Sequence, residues 1–140
     1  MKKLWYALLI ASSATIFMAR AHAQAIVIVN LGVKAADVSK GDLKDVFTGA
    51  ASSLKDGSHV TPVLLKEGSA HEEFLTAYVG KNDTAFRAGW RSLVFSGQAS
   101  MPKSLDSEAA MVEYVAHTPG AIGYVAKSAP HDGVKVLAVK

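Results

Sequence analysis

Six consecutive residues combine backbone and side-chain groups that suit a negatively charged ligand. They follow a predicted strand and contain the predicted start of a helix. The first N–H groups of a helix have no partner inside the helix, and the helix dipole attracts negative charge to them. Glycine permits close approach of a ligand, and lysine, serine and histidine add polar or basic groups. We therefore predict an anion site at Lys66, Gly68, Ser69, Ala70 and His71.

The same segment also fits a capping box, which needs no ligand. In this interpretation Ser69 caps the helix and Glu72 reaches back to it, so that side chains satisfy the donors that an anion would use. Glu72 and Glu73 also place two negative charges beside the predicted site. The residue types alone leave both interpretations open.

The histidines show no pattern that is typical of catalysis or metal binding. His71 has no evident carboxylate or serine partner, which a general base would need. His59, His117 and His131 are scattered through predicted turns and helix ends, without the spacing of a zinc site. Hydrolase, phosphate-loop and dinucleotide motifs are missing from the sequence. We therefore expect a protein that is not an enzyme and that uses no metal ion or cofactor.

Two arginines form a second candidate for anion binding. Arg87 and Arg91 lie one helical turn apart, and guanidinium groups match the geometry of oxyanions. However, Asp83 precedes Arg87 by four residues, which is the spacing of an ordinary ion pair on a helix. We therefore favour a solvated helix face over an anion clamp.

The first 23 residues have the features of a secretory signal peptide. Two lysines precede a mostly apolar run at Leu4–Met18, and Ala21-His22-Ala23 supplies small residues at the cleavage positions. A helix that spans a bilayer needs roughly 20 apolar residues, more than this run contains. We predict cleavage after Ala23, with a site after Ala21 as the alternative. Cleavage after Ala23 leaves residues 24–140 as one periplasmic or secreted domain without a membrane span.

The charge of the chain excludes one class of partner. The sequence has 15 basic and 12 acidic residues, but removal of Lys2, Lys3 and Arg20 with the signal peptide leaves equal numbers. A neutral domain lacks the clustered basic surface that nucleic-acid binding requires. The absence of cysteine excludes a thiolate metal site, a cysteine nucleophile and a cysteine-linked lipid anchor.

The hydrophobic pattern of residues 24–140 predicts an α/β fold, with a mixed or mostly parallel central sheet flanked by helices. Strands are predicted at 25–30, 60–65, 121–125 and 134–139, and helices begin after Ser39, at Ser69, after Asn82 or Asp83 and near Ser107. Because helices connect the first three strands, these can lie parallel through right-handed crossovers. The buried stripe of the third helix is predicted to contain Phe86, Trp90, Leu93 and Val94.

The order of several short motifs resembles the phosphate-binding proteins of bacterial ABC transporters, within the type 2 periplasmic binding proteins. In chain order, the similar segments are Ser39–Phe47 with Gly49, Asp56-Gly57, Gly68-Ser69 with Phe74, Trp90–Gly97 and Thr118–Val125. They extend over nearly all of residues 25–139. Thr118–Val125 is the most recognisable segment, whereas Leu54 stands where the family usually has tryptophan.

This resemblance implies a single lobe of a binding protein that is otherwise built from two lobes closing around phosphate. The family's phosphate-binding turn continues after glycine-serine with glycine, threonine and arginine, whereas Ala70 and His71 follow here. The resemblance therefore implies an anion cradle made by Ser69 and the backbone of Gly68 to His71, without the arginine.

Two functions of different classes follow from these patterns. We expect an exported solute-binding homologue that binds phosphate or sulfate weakly and is associated with an ABC permease. The alternative is an interaction module that kept the fold, lost ligand binding, and docks an envelope protein or a second copy of itself.

Overall fold

Short strands alternate with helices in residues 24–140, the part of the chain that the computed structural model describes. The strands are β1 (Ala25–Val29), β2 (Asp37–Val38), β3 (Thr61–Pro62), β4 (Leu64–Leu65), β5 (Ser104–Leu105), β6 (Ala121–Ala126) and β7 (Lys135–Val139). The helices are α1 (Lys40–Phe47), α2 (Ser69–Phe74), α3 (Asp83–Phe95) and α4 (Glu108–His117), and a π-helical segment (Leu75–Val79) continues α2. The predicted signal peptide lies outside the described residues.

A five-stranded mixed sheet with the order β2-β7-β1-β6-β3 forms the centre of the fold. β1 runs antiparallel to β6 and β7, while β3 is parallel to β6 and β2 is parallel to β7. β4 and β5 form a second, two-stranded parallel sheet. The predicted α/β class and mixed sheet are confirmed.

β6 is buried along its whole length, since all six of its residues are shielded from most solvent contact. α2 and α4 both contact it, and strands covered in this way are apolar throughout rather than alternating. α4 packs closely at Gly123, where an added Cβ would lie 2.5 Å from Met111 Sδ. The side chain of Asn30 donates to the carbonyl groups of Val115 and Ala116 at 2.9 and 3.1 Å, which fastens the end of α4 to the end of β1.

Three helices begin at side-chain caps, two of them at the predicted cap positions and the third, α4, at the predicted helix start. Ser39, Asn82 and Ser107 each accept a hydrogen bond from the backbone N–H three residues later. Such a bond satisfies one of the donors that a helix start leaves free. The cap of α3 is therefore Asn82 rather than Asp83.

The predicted buried stripe of α3 is correct at Phe86 and Trp90, which are 2% and 4% exposed, and wrong at Val94, which is 41% exposed. Leu93 is the residue of this turn that packs against the core. Because successive residues are rotated by about 100° around a helix, Val94 then faces solvent. Trp90 also donates its indole N–H to the carbonyl oxygen of Phe47 at 2.8 Å, which joins α3 to α1.

The second predicted strand divides into β3 and β4 between Val63 and Leu64. The N–H of Val63 donates to Ile122 in β6 at 2.9 Å, whereas the N–H of Leu64 donates to Lys103, next to β5, at 2.8 Å. The chain thus changes sheets within one residue. Pro62 lies in the edge strand β3, where proline is tolerated and where it was predicted to lie.

The predicted parallel arrangement of the first three strands is wrong for β1. β1 inserts between β6 and β7 and is antiparallel to both, so only β3 and β6 form a parallel pair among the predicted strands. A helical connection permits parallel pairing but does not determine which strands become neighbours. The two-residue strands β2 and β5 were not predicted from the sequence.

Candidate functional site

The segment Gly68–His71, called the anion turn below, presents backbone N–H groups at the start of α2. Gly68 is the N-cap residue, with φ 110° and ψ 169°, a conformation that is essentially restricted to glycine. The first hydrogen bond of the helix joins Glu72 N to Gly68 O at 3.1 Å. The N–H groups of Ser69, Ala70 and His71 precede this bond and have no partner inside the helix. Ser69 is exposed, whereas Ala70 and His71 are 4% and 2% exposed.

The capping-box interpretation of Ser69 is wrong. Ser69 is the first residue inside α2 rather than the residue before it, and no side chain caps this helix. A serine caps a helix from an extended backbone position that precedes the first turn. Gly68 takes that position here, so the donors of the anion turn are not satisfied by Ser69.

Lys66, two residues before the anion turn, uses its ammonium group in a surface ion pair. Its Nζ atom lies 2.8 Å from Asp106 Oδ1, and the two side chains are 56% and 81% exposed. Exposed pairs of this kind contribute little free energy. The ammonium group of Lys66 therefore lies near the anion turn but is oriented towards Asp106.

The ring of His71 points into the core, where it is only 2% exposed. Its Nδ1 atom is hydrogen-bonded to the hydroxyl of Tyr124, and its Nε2 atom lies 2.7 Å from Asp83 Oδ1. The carboxylate partner that the sequence did not reveal is thus Asp83. Both ring nitrogens are engaged, so His71 offers the anion turn its backbone N–H rather than its ring.

The contacts of His71 form part of a closed chain of hydrogen bonds. Tyr124 accepts from the N–H of Leu65 at 3.0 Å. Arg87 donates through Nε to both oxygens of Asp83, at 2.8 and 3.0 Å, and through Nη2 to the carbonyl oxygens of Leu65 and Lys66, at 3.3 and 2.9 Å. We call the side chains of His71, Tyr124, Asp83 and Arg87, with the backbone of Leu65, the His71 network.

Arg87 therefore belongs to the predicted ion pair with Asp83 and not to an anion clamp. Its guanidinium group is committed to Asp83 and to two carbonyl groups at the end of β4. Arg91 is exposed on α3. The Asp83–Arg87 ion pair is confirmed, whereas the predicted solvated face holds for Arg91 but not for Arg87, whose side chain is 23% exposed.

The electrostatic environment determines which proton each group of the network carries. Burial raises the pKa of the Tyr124 hydroxyl, so the hydroxyl stays neutral. It accepts from the N–H of Leu65 and is hydrogen-bonded to His71 Nδ1. His71 then donates through Nε2–H to Asp83. Partial burial raises the pKa of Asp83, but hydrogen bonds from His71 and Arg87 outweigh it and lower the pKa below its usual value.

Tyr124 is a structural member of this site that sequence reasoning missed. Its ring stacks on Phe74, with the ring centroids 4.0 Å apart and the planes 2° from parallel. This contact at the last residue of α2 packs the helix against β6. The Asp83–Arg87 pair was visible as an i,i+4 spacing, but Tyr124 lies 53 residues from His71 and no local pattern links them.

The remaining predicted surface histidines do not join this site. His59 and His117 are exposed, and His131 is half-buried. His117 and His131 contact nearby carbonyl groups, those of Glu113 and Ala129. Within residues 24–140 no group of three or more side chains is arranged to hold a metal ion, and none of the helices described there is both long and apolar enough to cross a membrane.

Comparison with solved structures gives matches to phosphate-transport proteins. An ABC-type phosphate transport receptor from Vibrio cholerae has a TM-score of 0.64 and 14% identity. A putative phosphate ABC transporter substrate-binding protein from Clostridium perfringens, solved with bound phosphate, has a TM-score of 0.62 and 18% identity. PstS from Borrelia burgdorferi has a TM-score of 0.61 and 15% identity. The chain shares the fold of phosphate-transport binding proteins.

The extent of these matches agrees with one lobe of that fold. They cover 83–84% of this chain but only 46%, 44% and 47% of the three proteins. The chain thus spans less than half the length of the proteins that it matches, and the fold implied by the sequence motifs is confirmed. No protein-family model and no curated protein matches the sequence.

Proposed function

We propose that this chain is a non-enzymatic, exported homologue of a solute-binding lobe, and that it binds a small oxyanion at the anion turn. The observation that carries the proposal is the start of α2, where no side chain caps the helix and the first three backbone N–H groups have no partner inside the helix. Phosphate and sulfate suit these donors because their oxygens accept charge-assisted hydrogen bonds. The shared fold with phosphate-transport receptors supports the same class of ligand.

The binding that we propose is weak. The turn is exposed at Gly68 and Ser69 only and covers one side of an anion, and Glu67 and Glu72 are exposed beside it. The family arginine is replaced by residues whose side chains are buried, and Lys66 is paired with Asp106. We therefore expect a Kd near ~1 mM rather than ~1 µM, a difference of about 4 kcal/mol in binding free energy.

In this proposal the domain lies in the periplasm and associates with an ABC permease. The Vibrio cholerae and Clostridium perfringens proteins that share the fold are described as parts of ABC-type phosphate transport. A signal peptide at residues 1–23 would deliver the domain to the same compartment. A role in transport does not require the protein to change its ligand chemically. In this proposal the His71 network positions the anion turn and does not act on the ligand.

The test uses two substitutions of Ser69, the first residue of α2. Ser69→Pro removes one backbone N–H from the anion turn, and proline is well tolerated at the first helical position. Ser69→Ala removes the hydroxyl but keeps the N–H. Titration with sulfate and phosphate, followed by amide chemical shifts, should give several-fold weaker binding for Ser69→Pro and a smaller change for Ser69→Ala.

Two outcomes contradict the proposal. One is the absence of any shift at residues 68–72 in the wild-type protein at 10-fold the expected Kd, about 10 mM. The other is equal binding by the wild-type protein and a folded Ser69→Pro variant. Circular dichroism spectra of both variants show whether α2 is retained.

An interaction module is the second candidate, because the end of α3 exposes apolar side chains. Phe95 is 95% exposed, and Val94 beside it is 41% exposed. A large exposed aromatic residue next to a second apolar one is typical of a contact surface. In this candidate function the surface docks a second copy or an envelope protein. Phe95→Ser should then shift the mass measured by light scattering towards the monomer, whereas a wild-type monomer that binds sulfate contradicts the dimer.

A further inference from the structure

A cleft of about 640 Å³ separates the beginning of β1 from one side of α2 and the π segment. Its lining includes Gln24, Glu72, Glu73 and Tyr78. α2 packs against β1 next to this cleft. The cleft therefore joins the first described residue of the chain to the helix that carries the anion turn.

Glu73 contributes an unsatisfied carboxylate oxygen at this place. Its Oε2 atom is shielded from solvent and has no hydrogen-bond partner among the described residues. An oxygen in this state has lost its water without gaining a donor, which is costly for a charged group. A cationic donor that reaches the cleft would remove this cost.

Gln24 is held at the same cleft by the sheet. Its carbonyl oxygen accepts a hydrogen bond from the N–H of Lys127 at 2.8 Å, and Ala25 pairs with Ala126 in the register of β1 and β6. In the precursor the nitrogen of Gln24 is an amide with one N–H. After cleavage at the predicted site it becomes an α-ammonium group with three donors.

We propose that removal of the signal peptide after Ala23 creates an α-ammonium group on Gln24 that pairs with Glu73, so that processing itself completes the contact between β1 and α2. The step is a hydrolysis by an export peptidase. Water adds its oxygen to the carbonyl carbon of Ala23, the C–N bond to Gln24 breaks, and the released amine takes up a proton. This inference is independent of anion binding.

Other charged groups near this end of β1 do not replace the ammonium group. The ammonium of Lys40 lies 5.9 Å from the ring centroid of Tyr78, and Glu108 accepts from the N–H of Ala126 at 2.5 Å. No lysine or arginine within the described residues forms an ion pair with Glu73. The titratable groups that line the cleft with Gln24 are Glu72, Glu73 and Tyr78. Lys40 lies over the ring of Tyr78, Lys127 bonds to the carbonyl of Gln24, and Glu108 bonds to Ala126, the partner of Ala25.

Pairing with a carboxylate raises the pKa of an amine above the ordinary α-amino value of about 7.7–8.0. The stabilisation is then fully present below that ordinary pKa. It is lost as pH rises through the higher pKa of the folded protein. The processed protein should therefore become less stable between neutral and alkaline pH through this pair.

For the experiment the protein is expressed as the full precursor, and the exported protein is purified from the periplasm. Intact mass determines the first residue, and ¹³C-dimethylation of the amine allows its pKa to be followed by NMR. Three proteins are compared: wild type, Glu73→Gln, and Glu72→Gln as the exposed control on the same helix. We expect a chain that begins at Gln24, with an amine pKa about one unit higher in wild type and Glu72→Gln than in Glu73→Gln. One unit corresponds to a tenfold loss in the ratio of folded to unfolded protein across that pH range.

Three results would overturn the proposal. They are a first residue other than Gln24, a Gln24 amine lost by cyclisation, and an equal amine pKa in wild type and Glu73→Gln. If Glu73→Gln does not fold, N-terminal acetylation of the wild-type protein replaces it. The acetylated protein must then lose the alkaline sensitivity that the free amine confers, and retention of that sensitivity contradicts the pair.

Discussion

His71 Nε2 lies 2.7 Å from Asp83 Oδ1, which connects the first turn of α2 to the first residue of α3. The histidine is buried, whereas the aspartate side chain is 43% exposed and also binds Arg87. The carboxylate of Asp83 thus links the protein surface to the buried ring of His71. Because His71 also supplies a backbone N–H to the anion turn, this pair determines where the turn sits relative to α3.

Replacement of Asp83 by Asn should destabilise the protein by about 1–2 kcal/mol, because it weakens the bonds to His71 and Arg87 together. The estimate is modest since Asp83 is partly exposed and its charge is screened. Urea denaturation measures the change. Asp106→Asn, which breaks the exposed pair with Lys66, is the matched control and should cost less than about 0.5 kcal/mol. Equal losses for the two variants would contradict a special role of Asp83.

The pKa of Asp83 also predicts a dependence of stability on acidity. Because the folded-state pKa lies below the unfolded value of about 3.9, the ionised group stabilises the fold above that pH. This contribution is lost as pH falls through the folded pKa. The stability difference between wild type and Asp83→Asn should therefore shrink below about pH 4. A difference that stays constant between pH 6 and pH 3 would show that the charge of Asp83 does not contribute.

Tyr124→Phe should destabilise the protein by about 1–3 kcal/mol while it preserves the stacked ring. The substitution removes one hydroxyl and leaves the N–H of Leu65 and the Nδ1 atom of His71 without their buried partner. Tyr78→Phe, at a half-buried position, serves as the control with an expected change within about 0.5 kcal/mol. Thermal or urea unfolding compares the two. A loss below that of Tyr78→Phe would mean that water replaces the hydroxyl.

Substitutions at two glycines with positive φ allow the free-energy cost of backbone strain to be measured separately from the cost of overpacking. Gly49 and Gly97 have φ of 82° and 77°, but a Cβ on Gly49 would lie 2.5 Å from Leu93 and 3.2 Å from Trp90, whereas a Cβ on Gly97 meets nothing within 4 Å. Gly97→Ala should cost about 1–2 kcal/mol through strain alone. Gly49→Ala should exceed it by about 1–3 kcal/mol because the contact between α1 and α3 is overpacked. Equal free energies of unfolding for the two variants, measured from denaturation curves, would show that Leu93 and Trp90 move aside without cost.

The local elements of this protein follow from the sequence. Ser39, Asn82 and Ser107 are caps because a short polar side chain can bond to an N–H three residues later, an interaction confined to a few neighbouring positions. The apolar run at Ala25–Val29 similarly predicts a buried strand. The order of strands, helices and motifs then suffices to predict the α/β class and the phosphate-transport fold.

Tertiary structure decided how these elements meet. β1 is antiparallel to β6, and Leu64 leaves β6 for β5, because strand partners are selected by packing across distant parts of the chain. The same holds for the site. The sequence placed His71 at a helix start with no partner in view, whereas the fold brings Asp83 and Tyr124 to its two nitrogens from positions 12 and 53 residues away. Periodicity and spacing describe neighbours along the chain, and a buried hydrogen-bond network is formed by neighbours in space.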